Sequence, residues 1–184
     1  KISTFDPSKE FAIIPEWMAV YHAKILQKAN VKYGIFVQNG FNLHTKPKNN
    51  FSDEEVREAY EKAKIIISYS EEITECIKLT FPEVADKIFR INISVDNKKF
   101  QYTEEIFKSK ENLIIYMPRK QKIHADRVYF ILQQRLPKNW EIKSLDGLNE
   151  FEVIKFLKKS KIFLSFSGLE GFGLPPVEAA LCGN

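Results

Sequence analysis

The chain has 184 residues, of which 44% are hydrophobic and 13% aromatic, and 28 Lys and Arg stand against 24 Asp and Glu for a net charge of +4. This permits one large or two small cored domains and offers no low-complexity tract, and the charge suits anionic small molecules or lipid headgroups without arguing for nucleic acid. Cys76 and Cys182 are lone thiols, which points away from a disulfide scaffold and toward a reducing compartment.

Taken in order, Lys1 to Glu10 carries no pattern. The run from Phe11 to Ile14 reads as a short buried strand stopped by Pro15. Residues 16–29 place Trp17, Val20, Tyr21, Ile25 and Leu26 on one helical face. A second strand is expected over Lys32 to Val37, a loop over Gln38 to His44, and a polar turn over Lys46 to Asn50. Ser52, followed by Asp53, Glu54 and Glu55, starts a helix to about Ala63, because serine caps and acids suit the first turn. A strand over Ile65 to Tyr69, a helix from Ser70 to before Pro82 and a strand over Ile88 to Ile93 follow. Strands alternating with helices at this spacing imply a parallel sheet with crossover helices. The polar, charge-rich stretch of about Ser94 to Glu111 reads as a linker between domains.

A second strand-helix series begins with Asn112 to Met117. At its carboxyl end stand Pro118, Arg119, Lys120, Gln121 and Lys122. Ligands of open parallel sheets sit outside the carboxyl ends of strands, so Arg119 with Lys120 or Lys122 is a candidate clamp for a diphosphate. A helix is expected over Ala125 to Leu136, a strand over Trp140 to Leu145, a turn over Asp146 to Asn149 and a helix over Glu150 to Lys159. Gly147 permits a close backbone approach in that turn. The basic end of the last helix suits a helix C-terminus better than a membrane.

The final stretch, Lys161 to Asn184, reads strand (Ile162 to Phe166), glycine-bearing loop, helix. Gly171 and Gly173 let backbone amides approach a bound group, and the helix start behind Pro175 and Pro176 favours an anion. Glu170 and Glu178 frame that loop, the second expected in the first helical turn, and both are placed to accept hydrogen bonds from sugar-like hydroxyls. His22, His44 and His124 are scattered without metal-ligand spacing, and there is no Asp-x-Asp pair, phosphate-binding P-loop or Gly-x-Ser-x-Gly elbow. No stretch has the length and apolarity of a transmembrane span.

Ser167, Glu170-Gly-Phe-Gly-Leu-Pro175 and Glu178-Ala-Ala180 resemble the Glu-x7-Glu motif of retaining GT-B glycosyltransferases, the large family 4 group. Val95-Asp96 followed by Phe100 resembles the close of that family's acceptor domain. The resemblance implies an α/β fold of GT-B type, with two Rossmann-like parallel-sheet domains, both incomplete in this chain. Residues 1–93 would be the end of the acceptor-side domain, 94–111 the linker and 112–184 the first part of the donor-side domain.

The resemblance further implies transfer of a sugar from a nucleotide-sugar donor to a glycan or lipid-linked glycan acceptor, with retention and without a metal or other cofactor. Glu170 and Arg119 would be catalytic. Glu178, Lys120, Lys122, Gly171, Phe172, Gly173 and Gly147 would bind the donor. The family shows an Arg and a Lys five residues apart in the basic loop, but position 124 here is His, so Lys120 or Lys122 must substitute. One strand-helix unit lies between the basic loop and the Gly-rich loop, where many relatives carry two. The expected location is cytoplasmic, with peripheral membrane association left open. The rival readings are a GT-B nucleotide-sugar epimerase and a non-catalytic sugar-nucleotide-binding domain derived from a transferase.

Overall fold

The computed structural model describes residues 6–44 and 51–184, so the expected turn over Lys46 to Asn50 lies outside the described residues. The chain forms two units, one of residues 1–93 with Leu169–Phe172, the other of Ser94–Gly168 with Gly173–Asn184. Each holds a parallel sheet crossed by helices, a Rossmann-like arrangement.

In the first unit the strands β1 (Phe11–Pro15), β2 (Lys32–Phe36), β3 (Ile65–Ser68) and β4 (Ile88–Arg90) lie in the order β1-β2-β3-β4. Helices α1 (Ala19–Lys28), α2 (Asp53–Lys62) and α3 (Glu71–Thr80) connect them. Strands added in one direction by right-handed crossovers keep successive helices on one face. Accordingly Ile14, Tyr33, Ile35 and Ile66 of the sheet share one core with Val20 and Ala23 of α1, Tyr60 of α2, and Ile73 and Ile77 of α3. The register aligns Ile13, Gly34 and Ile65 on the other face, and Pro15, Phe36, Ile67 and Phe89 beside them. That face is apolar but open: Phe11, Ile13 and Phe89 are 45%, 51% and 58% exposed.

Local chemistry explains the helix starts. Ser52 and Glu55 form a reciprocal capping box on α2, and the Ser70 hydroxyl accepts from the Ile73 amide at 3.1 Å on α3. Gly40–His44, expected as loop, coils into a 3-10 turn. There the Asn39 side-chain oxygen accepts from the Phe41 amide at 3.0 Å, and a Cβ on Gly40 would sit 2.7 Å from the Cβ of Cys76.

In the second unit β5 (Glu111–Tyr116) is central, flanked by β6 (Glu141–Ser144) and β7 (Ser160–Leu164), all parallel in the order β6-β5-β7. Helices α4 (Glu104–Ser109), α5 (Lys122–Arg135), α6 (Glu150–Lys159) and α7 (Leu174–Leu181) complete it. Its core gathers Phe100, Leu113, Ile115, Leu145, Leu157, Ala179 and Cys182. The stretch from Ser94, expected as linker, is structured: Thr103 caps α4, and Val95 and Phe100 pack into this core. Asp96 makes the turn between them, its carboxylate accepting from the Lys98 and Lys99 amides at 2.9 and 3.2 Å.

Lys110, although charged, is buried. Its Nζ donates to the carbonyls of Leu157 and Ser160 at 3.0 and 2.6 Å, which satisfies the carboxyl end of α6. Asn184 donates to the Ser160 carbonyl and hydroxyl at 2.7 Å each, so Ser160 is held from two sides. This explains why β7 begins at Ser160, ahead of the apolar run that announced it.

Candidate functional site

The three strands of the second unit deliver three loops to one edge, because all are parallel and end at the same side. After β5, Pro118 to Gln121 turn sharply, with the Gln121 amide on the Pro118 carbonyl at 3.2 Å. Arg119, Lys120 and Lys122 are all exposed there. Lys122 is the first residue of α5, which starts earlier than expected, and its Nζ lies 3.2 Å from the Asp126 carboxylate one turn on. Arg119 has no carboxylate partner among the described residues. After β6, Leu145 is buried and extends the pairing through a 2.8 Å bond to the Tyr116 carbonyl. Gly147 follows at φ +69, and a Cβ there would meet nothing within 4 Å, so this tip is open.

The loop after β7 lies beside the loop after β5. Phe166 packs edge-on against Tyr116, with centroids 5.7 Å apart. A Cβ on Gly168 would come within 2.5 Å of the Gln121 side-chain nitrogen. Gly173 then caps α7 at φ +73, a left-handed conformation that glycine adopts without strain.

The start of α7 differs from the expected anion cradle. Leu174, Pro175 and Pro176 are its first three residues. The amides of a first turn are its unsatisfied donors, and proline has none. Leu174 is therefore the only donor among those three.

Glu178 occupies the fifth helical position rather than the first turn. The helix dipole fades beyond the first turn, so it does not account for a carboxylate here. The side chain is half-buried, and no hydrogen bond or ion pair holds its carboxylate among the described residues. Burial first, and then the charge of Glu150, push the Glu178 carboxyl above its usual value.

Glu170, Gly171 and Phe172 belong to the first unit. The Leu169 carbonyl accepts from the Asn39 side chain at 2.9 Å, and the Gly171 carbonyl accepts from the Ser70 hydroxyl at 3.2 Å. Gly171 is buried, and a Cβ on it would lie 2.9 Å from both the Tyr69 hydroxyl and the Ile73 methyl. Its lack of a side chain is thus used in packing. Phe172 meets the Tyr69 ring edge-on at 6.4 Å. Asn39 and Tyr69 were not singled out in the sequence; the available signal was their place, just beyond the carboxyl ends of β2 and β3.

Among the described residues no group of three or more His, Cys, Asp and Glu could hold a metal, and no helix is long and apolar enough to cross a membrane. No family model matches the chain. No curated protein matches it. Among solved structures it is similar to accessory secretory protein 1, 2 and 3 in Streptococcus pneumoniae, with a TM-score of 0.55 at 10% identity. The match covers 95% of this chain and 39% of that one, so this chain spans about two fifths of the length of the chain it matches. A likeness at this identity shows the fold alone: an α/β chain with two Rossmann-like parallel sheets.

Proposed function

We propose that this chain is the junction-spanning part of a retaining GT-B glycosyltransferase of the family 4 type. One observation carries the reading. The Glu-x7-Glu loop leaves the carboxyl end of β7 beside the basic loop of β5 and enters a helix whose Glu178 is half-buried without a hydrogen-bond partner among the described residues. A carboxylate placed at that cost suits a ligand that brings its own hydroxyls.

In this reading Arg119, with Lys120 or Lys122, neutralises the diphosphate of a nucleotide-sugar donor. The leaving diphosphate gains charge as the glycosyl bond breaks, and fixed cations and the Leu174 amide stabilise it as it grows. With prolines at the next two positions, the cations carry more of that task than the helix start. Glu178 takes the ribose diol, the Gly147 turn approaches the base, and Glu170 orients the sugar. Gly173 supplies the turn that aims Leu174, while Gly171 and Phe172 seat the loop. The acceptor would be a glycan or lipid-linked glycan and the location cytoplasmic, with or without membrane association.

The solved structure it resembles is of accessory secretory proteins, which favours as second reading a non-catalytic domain of the same fold acting in a protein assembly. Titration with nucleotide sugars, their diphosphates and the nucleosides separates the two. Arg119→Ala should weaken a nucleoside diphosphate by about 10- to 100-fold, the worth of one charge-assisted contact, and leave the nucleoside unchanged. Absence of any nucleotide binding by the full-length protein would sink the transferase reading.

A further inference from the structure

We infer that Asn39 is a positioning residue: it fixes the backbone that presents Glu170, and so sets the enzyme's hold on the sugar of its donor rather than on the nucleotide. This rests on the reading of Glu170 given above.

Glu170 is flanked by two anchored carbonyls, Leu169 on the Asn39 side chain at 2.9 Å and Gly171 on the Ser70 hydroxyl at 3.2 Å. A residue clamped on both sides of its own Cα has little backbone freedom left. The seat itself is rigid. The Asn39 oxygen is fixed on the Phe41 amide at 3.0 Å, and the Tyr69 hydroxyl donates to the Gln38 carbonyl. Gly171 lies so close to that same carbonyl that no side chain fits between them. Burial, then the charges of Glu16 and Glu170, push the Tyr69 phenol up, so the Glu170 carboxylate lies within electrostatic reach of this seat. Ser70 also caps α3, so its role is shared between helix and clamp. The Asn39 amino group has the Leu169 carbonyl as its partner, which makes it the cleaner handle.

Asn39→Asp is nearly isosteric. It keeps the oxygen that the Phe41 amide needs and removes the donor that Leu169 needs. The probes are UDP-glucose with UDP and GDP-mannose with GDP, alongside hydrogen exchange of the peptide containing residues 169–172. The expected result is faster exchange in that peptide, affinity for the nucleotide sugar lowered about tenfold, the nucleoside diphosphate unchanged within about twofold, and melting temperature kept. Gly171→Ala, which displaces the seat from the other side, should give the same split. Equal losses for sugar nucleotide and diphosphate, or an unchanged nucleotide-sugar affinity in a variant that exchanges faster, would overturn the positioning role and leave the transferase reading standing. A full-length parent that binds neither probe class would overturn both.

Discussion

Holding the Glu178 carboxylate ionised in a half-buried position costs stability, because burial removes water from it and Glu150 adds like charge. A carboxyl raised in the folded state lends stability that is complete below its unfolded value and is lost as pH rises through its folded one. Glu178→Gln should therefore melt higher than the parent at pH 7, and the two should converge as pH falls toward the ordinary glutamate value of 4.5. Partial solvent screening holds the gain below about 1 kcal/mol, or about 2–4 °C at this chain length. The same variant should bind nucleotide about 10-fold or more weakly. Calorimetric melting across that pH range checks the first part and titration the second. A side chain whose loss improves the fold and harms binding is kept for its chemistry; a lower melting temperature at pH 7 would instead mark Glu178 as a structural residue.

At the scale of elements, α7 trades anion binding for rigidity. Pro175 and Pro176 fix the entry of the helix but delete two amides that would face an anion. Pro176→Ala returns one donor at the third helical position. It should raise affinity for pyrophosphate severalfold and lower the melting temperature by about 1–3 °C, because the unfolded chain regains freedom. Unchanged pyrophosphate affinity would show that the helix start does not face the anion. Most elements were legible in the sequence, since the apolar runs at β2, β3 and β5 and the helix starts at Ser52 and Ser70 are local signals. Helix α4 was not, because its six residues lie in a charged stretch and only Thr103 announces them. The depth of Glu178 was missed because the helix begins at Leu174, set by the turn at Gly173 rather than by composition. The membership of Leu169–Phe172 in the first unit could not be read at all, for it depends on Asn39 and Ser70, which are more than a hundred residues away.

For the molecule as a whole, the one-sided first sheet matters most. Its strands are apolar at nearly every position, as in sheets covered on both faces, yet α1, α2 and α3 all serve the same face. Adjacent residues of β1 therefore have opposite standing. Ile14→Ala, on the covered face, should cost about 2–5 kcal/mol. Ile13→Thr, on the open face, should stay within about 0.5 kcal/mol of the parent in chemical denaturation. Equal losses would show that something covers both faces. The open face also governs how the protein behaves as a solute. Sulfate is excluded from protein surfaces and favours any step that removes apolar area from water. Phe11, Ile13 and Phe89 keep such area wetted, so the folded parent should leave solution at lower ammonium sulfate than a variant carrying Ile13→Thr and Phe89→Thr. Its solubility limit is thus written in the strand order, since that order puts α1, α2 and α3 on one side of the sheet.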